Sequence, residues 1–219
     1  VGSFKGKFTQ KLIDIDKNKL NSKFYLFDPN PNGLNYIKKL KKENKNIKYT
    51  CVGLDNKIKK KNFYLNKFFE ASGSSFQTIL KNDKLWNTSR RYVLKIFNIF
   101  NKNKLDDFKK ISVNTDTIDN FCKNKKIKKI DLLKIDAEGH EEYILKGSEK
   151  LLKKNNVNVI YVEVLSQKKK FSFKKKKIKN FLKKFNFKFL KEYPIKSVSI
   201  LSSLKSSDLL FVNQTYKCE

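Results

Sequence analysis

The sequence predicts an α/β protein built on a doubly wound, mostly parallel sheet. Three observations carry that prediction. Strand-like and helix-like segments alternate along the chain. Several strand segments, such as "DLLKI" and "NVIYV", are near-continuous apolar runs, the pattern of strands covered on both faces. Finally, three strand segments in turn end in a carboxylate, where open α/β sheets bind their ligands.

The elements follow in order. Gly2-Ser3-Phe4-Lys5-Gly6 opens the chain as a glycine-bearing turn, after which a helix can start close to the sheet. "KFYLFD" (residues 23–28) is rich in aromatics and stops at Asp28-Pro29, so it reads as a strand ended by a turn. In "NGLNYIKKLKKEN", Leu34, Ile37 and Leu40 share a helical face. Residues 46–54 form a second strand, and "KKKNFYLN" reads as a short hairpin arm. "DLLKID" is a buried strand, and "HEEYILKGSEKLL" a helix with Ile144, Leu145, Leu151 and Leu152 at helical spacing. "NVIYVEV" is again a buried strand. "QKKKFSFKKKK" (167–177) reads as a solvated basic loop or as a contact for an anionic substrate or membrane. "KIKNFLKKF" is a helix, and "FKFLKEY" and "DLLFVN" are the last two strands. Residues 72–107, with Trp86, Arg90 and Arg91, fit the alternation poorly and read as an insertion or lid, or as a plain surface excursion.

A length of 219 residues suits one domain with a full core. The 39% hydrophobic content excludes a disordered chain. No stretch approaches the roughly 18 apolar residues of a membrane span, and no secretory leader is visible. Cys51, Cys122 and Cys218 are scattered, with no CxxC pair, so plain thiols in a reduced, cytoplasmic compartment are expected. The net charge of +30 has two readings. One is binding to nucleic acid or another polyanion. The other is codon drift: Arg90 and Arg91 are the only arginines, and the abundant Lys, Asn, Ile and Phe all have AT-rich codons. Phosphate and base recognition favours the planar arginine fork, which supports drift. The chain contains no Met and opens on "VGSFKG", which reads as the interior of a motif, so the first strand is expected to lie upstream.

The candidate site gathers at strand ends. Asp28 can accept both hydroxyls of a ribose, or can simply form an Asp-Pro turn. Asp136, Glu138 and the only histidine, His140, follow the next acidic strand end, and Glu163 follows the third. Glu141 and Glu142 fall in a first helical turn, where carboxylates meet the positive end of the dipole, so they need no functional explanation. His140 does not begin a zinc HExxH, because Ile144 stands where the second histidine belongs. No GxSxG hydrolase elbow exists.

"DLLKIDAEGHEEYILKGSEKLL" resembles the KID-x-EG-x-E-x-x-x-L-x-G signature of the FkbM family of S-adenosylmethionine-dependent methyltransferases. "VGSFKG", "FDPNP", "ASGSSF", "TIDNF" and "YVEV" resemble further family segments in the same order, so the likeness runs from Val1 to about Val164. It implies a Rossmann-like class I methyltransferase fold, with a seven-stranded, mostly parallel sheet whose last strand is antiparallel. It also implies O-methylation of a sugar, glycan or secondary-metabolite hydroxyl. By the same resemblance Gly2, Ser3 and Gly6 wrap the amino acid part of S-adenosylmethionine, Asp28 holds its ribose, and Asp136 lies near the sulfonium. Phe4 stands where many methyltransferases carry a second glycine, and Asp28 replaces the commoner Glu.

Methyl transfer from a sulfonium is an in-line displacement, so alignment supplies much of the rate. A sugar hydroxyl has a high pKa and gains from a base. Asp136 or His140 is the expected base, with Glu138 orienting the acceptor. Mg²⁺ held by Asp136 and Glu163 is an alternative that is not favoured. Three rivals stay open. An RNA methyltransferase fits the lysine surplus but lacks an aromatic RNA-binding signature. A nicotinamide oxidoreductase lacks the GxGxxG fingerprint. A non-catalytic module could bind cofactor and transfer nothing.

Overall fold

The computed structural model describes residues 1–16, 22–66, 74–76, 108–195 and 204–216. Most of the expected insertion at 72–107, with Trp86, Arg90 and Arg91, lies outside these residues. Helix α1 (Lys7–Asp16) follows the glycine turn, then β1 (Phe24–Phe27), a 3-10 turn (Pro31–Gly33), α2 (Leu34–Glu43) and β2 (Ile47–Thr50). Next come β3 (Gly53–Leu54), β4 (Lys59–Asn66), β5 (Phe108–Asp116), α3 (Ile118–Asn124) and β6 (Ile130–Ile135). The chain continues through α4 (Glu141–Lys146), α5 (Glu149–Lys153), β7 (Val157–Gln167), α6 (Lys168–Lys183), β8 (Phe187–Ile195) and β9 (Leu204–Asn213).

The architecture is α/β, but the sheets are smaller and more mixed than expected. β1 and β2 pair in parallel. A second sheet runs β3-β5-β4, with β3 parallel and β4 antiparallel to β5. A third runs β6-β7-β9-β8; β6 and β7 are parallel, and β9 is antiparallel to both its neighbours. The expected strand over 46–54 divides in two, because β2 follows β1 whereas β3 turns to β5.

Backbone at the chain's first residues links the first and third sheets. The Gly2 and Ser3 amides donate to the Phe27 carbonyl at 2.9 and 3.3 Å. The Asp136 amide donates to the Val1 carbonyl at 3.2 Å, and the Val1 nitrogen donates to the Lys134 carbonyl at 2.8 Å. Residues 1–3 therefore lie between the ends of β1 and β6.

The two faces of the third sheet differ in kind, as the period of two dictates. One face carries Ile135, Ile160, Val162, Val164, Leu209 and Phe211, all buried. They pack against Phe121 of α3, Ile144 and Leu145 of α4, Leu152 of α5, and Ile178 and Leu182 of α6. Each such side chain contributes about 1.5–3 kcal/mol on burial. The other face carries Lys134, Tyr161, Glu163, Ser206 and Asp208, and Phe8 of α1 stacks on Tyr161 with ring centroids 5.9 Å apart.

Three local results refine the sequence reading. The basic run expected as a loop is the first half of α6: buried Phe171, Ile178 and Leu182 fall on one helical face and hold it against the sheet. The helix expected over "HEEYILKGSEKLL" breaks at Gly147. A Cβ there would come within 2.2 Å of the Asp55 carbonyl, so the two backbones touch at a point only glycine allows. Strand β5 and helix α3 had no helical or strand assignment. Thr117 Oγ1 caps α3 by accepting the Asn120 amide at 3.0 Å, and Asp119 reaches over to accept the Lys150 and Leu151 amides at the start of α5.

Candidate active site

Three strands and two turns build one cavity of about 270 Å³. Gly2, Asp28, Asp136, Glu138 and Glu163 line it. Its remaining wall includes Phe63 of β4 and Phe76, whose rings meet edge-on with centroids 5.1 Å apart. A groove of about 1440 Å³ adjoins it, running along β1 and β6; Val1, Gly2, Phe4, Leu54 and Asp136 line both.

Gly2 has φ +70°, and a Cβ there would stand 1.6 Å from the Asp136 carbonyl oxygen. Only glycine lets the turn lie against the end of β6. Asp28 fixes the same turn from β1. Its buried carboxylate accepts the Phe4 amide through Oδ2 and the Asn30 amide through Oδ1, both at 2.8 Å. Burial pushes its pKa up against the pull of those two amides.

Past β6, the turn at Ala137-Glu138-Gly139 carries Glu138 in the left-handed region, at φ +49°. Such a conformation in a non-glycine residue costs about 1 kcal/mol or more and needs support. Glu141 and Lys174 supply it. Glu141 is fully buried, and its Oε1 accepts the Gly139 amide at 2.7 Å. Lys174 of α6 donates to Glu141 Oε2 at 2.7 Å, to the Gly139 carbonyl at 2.9 Å and to the Leu165 carbonyl at 3.0 Å. The residue between Glu138 and His140 is thereby held at both its amide and its carbonyl.

Glu163, inside β7, stands beside Asp136, which follows β6, and both line the cavity. Ser206 Oγ donates to Glu163 Oε1 at 2.5 Å. Burial, then the Asp136 carboxylate, push the Glu163 pKa up to about 9. Asp136 in turn accepts Lys134 Nζ at 2.7 Å. The Lys134 ammonium already sits on Asp136 and would compete with a divalent cation for that carboxylate. Among the described residues no cluster of three or more His, Cys, Asp or Glu is arranged around a common metal position.

His140 takes a different place from the one expected of a base. Its ring is fully buried, stacks on Tyr143 at 4.6 Å, and does not line the cavity. Nε2 lies 3.1 Å from Asp55 Oδ1, and Lys61 Nζ lies 3.0 Å from Asp55 Oδ2. Burial and then the Lys61 ammonium lower the His140 pKa to about 4, with Asp55 opposing them. The geometry fits His140 to anchoring Asp55.

His140 yields a pH prediction. Between about pH 4 and 6.5 the unfolded chain binds a proton at His140 that the folded chain does not, so this residue's contribution to stability falls as pH falls through that window. Melting His140→Gln beside the parent from pH 7 to pH 4 should show the parent losing more. Parallel curves would refute the neutral, buried assignment.

Of the residues expected to form the site, the structure brings Gly2, Asp28, Asp136 and Glu138 to the cavity. Ser3 faces the neighbouring groove, and buried Gly6 accepts the Gln10 amide and starts α1. Phe63, Phe76 and the Asp55–Lys61 pair were not singled out from the sequence. Only the serine-rich likeness of "ASGSSF" touched them.

No curated protein and no solved structure gives a significant match. The family model described as "Methyltransferase FkbM domain" matches residues 1–189. The match ends within β8, so β9, which pairs with β7 and supplies Ser206, lies beyond it. With most of its length covered, and with the strand-end acids and the glycine turn meeting at one cavity, the chain belongs to the FkbM methyltransferase family.

Proposed function

We propose that this chain is an S-adenosylmethionine-dependent O-methyltransferase acting on a hydroxyl of a sugar, glycan or secondary metabolite. The observation that carries the reading is the convergence of Gly2, Asp28 and Asp136 on a single cavity in a member of this family. The donor, when bound, supplies an activated methyl group on a sulfonium. The residues of the chain do the rest. Asp28, already oriented by two amides, offers remaining lone pairs to ribose hydroxyls. The turn at Gly2 admits a ligand close to the backbone. Asp136 and Glu138 place negative charge where a cation would sit, and Asp136 polarises the acceptor hydroxyl as its proton leaves. Phe63 and Phe76 wall the cavity with apolar surface and keep water from the reacting atoms.

Calorimetric titration tests the reading, with S-adenosylmethionine as ligand, NAD as control, and Asp28→Ala beside the parent. Micromolar binding of S-adenosylmethionine, no binding of NAD, and about 10- to 100-fold weaker binding in a folded variant are expected, the scale of one lost charge-assisted hydrogen-bond site. A folded parent that ignores S-adenosylmethionine would refute it.

An RNA acceptor is the second reading. Lys169, Lys176 and Lys177 of α6 flank Phe173, which is 70% exposed, and a cationic face with a stacking ring suits single strands. RNA binding that weakens steeply with salt would favour it.

A further inference from the structure

Two carboxyl groups lie side by side, Asp136 just past the end of β6 and Glu163 within the adjacent parallel strand β7, and both line the cavity. Asp136 and Glu163 continue the β6–β7 register one step past Ile135 and Val162 and face the same cavity, and two carboxyls so close favour a proton on one of them. The charged and titratable groups around Glu163 are Asp136 and Lys134 from β6, Glu138 from the following turn, and Asp208 from β9, where the Tyr161 hydroxyl donates to Asp208 at 2.8 Å. Ser206 Oγ fixes the rotamer of Glu163 so that the carboxyl stays on Asp136. Burial and the neighbouring acids keep the proton on Glu163 at neutral pH. A fixed positive charge placed against the pair reverses that balance, since an opposite charge at about 4–6 Å favours the ionised carboxyl by about one to three pK units.

We propose that Glu163 is the proton-releasing half of a cation subsite: a sulfonium-bearing donor expels the Glu163 proton and meets the Asp136–Glu163 pair as two carboxylates, whereas a neutral thioether product leaves that proton in place. The inference rests on the donor reading given above. The only bond broken is the Glu163 O–H, whose proton passes to water or buffer. No electrons are exchanged, and the donor itself is unchanged on binding. The pair thus distinguishes charged donor from spent product by charge alone. It also leaves an ionised carboxylate near the acceptor for as long as the cation is present.

The experiment counts protons. S-adenosylmethionine and S-adenosylhomocysteine are titrated separately into the protein in two buffers of different ionisation enthalpy, from pH 7 to pH 9. The two ligands share their amino acid and nucleoside groups, but the sulfonium lowers the donor's α-amino pKa, so each free ligand is titrated in the same buffers and its own proton change is subtracted. The expected result is release of about one proton with S-adenosylmethionine at pH 7 and none with S-adenosylhomocysteine. The donor's affinity should rise by up to about tenfold per pH unit until the pair is fully ionised, and the product's should stay flat. Glu163→Gln should still bind the donor, because the amide can bridge Ser206 and Asp136, but should lose both the proton release and the slope. Equal proton counts for the two ligands in the parent protein would overturn the inference while leaving the donor reading intact. Failure of the folded parent to bind S-adenosylmethionine at any pH would sink the donor reading, and this inference with it. The count on the parent needs no variant, so a Glu163→Gln protein that fails to fold does not blunt the test.

Discussion

A Lys174→Met variant is expected to melt about 10 °C or more below the parent. Lys174 donates to three acceptors, and one of them is the fully buried carboxylate of Glu141. Removing the ammonium leaves a buried acid with its counter-charge gone, a loss of about 3–5 kcal/mol when one partner of a buried pair is deleted. In a chain of this length each kcal/mol shifts the midpoint by about 2–4 °C. Methionine keeps most of the stem's packing, so the loss reports the charge and its hydrogen bonds, not a cavity. A second substitution separates the two. Glu141→Gln in the Lys174→Met background should recover part of the loss, because the neutral amide still accepts the Gly139 amide and its NH₂ can donate to a freed carbonyl. Additive losses would show that the two side chains act independently. Donor binding should weaken as well, since the turn bearing Glu138 is held by this pair.

Gly2→Ala is expected to abolish measurable donor binding and to lower stability by about 3 kcal/mol or more. Two costs act at once. The alanine methyl would stand 1.6 Å from the Asp136 carbonyl oxygen, a distance no flexible neighbour can relieve because the obstacle is backbone. The residue also sits at φ +70°, where a side chain adds strain of its own. Relief requires the glycine turn to withdraw from β6, which opens the cavity floor between Gly2 and Asp136. Ser3→Ala is the stability control: its hydroxyl makes only a long 3.5 Å contact to the Phe27 carbonyl, so the melting point should change little. Titration and thermal melting of the two variants decide the matter. A Gly2→Ala protein that binds within twofold of the parent would show that the turn is not part of the site.

Much of the α/β alternation was legible because period and punctuation agree. β1 and β6 are short apolar runs, each followed by an acid, and the hairpin arm became β4, whereas β7 runs past its expected end at Glu163 to Gln167 because β9 pairs along it. What escaped notice was decided by contacts distant in sequence. "FKKISVNTD" alternates charge with small polar residues, and only its pairing with β4 makes it a strand. The break between α4 and α5 is set by the Asp55 backbone pressing on Gly147, which no local spacing reveals. The first half of α6 looked like a loop because its lysines leave Phe171 as the one buried residue there, whereas "KIKNFLKKF" showed the helical spacing of its second half. At the site, strand-end position pointed to Asp28 and Asp136, and both line the cavity. It could not separate His140 from them, because a residue two positions past a turn can face either the cavity or the core, and here the Asp55 carboxylate and the Tyr143 ring draw it inward.

The junction at residues 1–3 has a mechanical consequence. β1 and β6 belong to different sheets, and the described hydrogen bonds that tie them run through Val1, Gly2 and Ser3. A ligand touching both Asp28 and Asp136 would span that seam as a cross-brace. Part of its binding energy would then appear as stiffness of the whole molecule. Heat resistance and occupancy would rise together, and breathing of the seam would set how fast the ligand leaves.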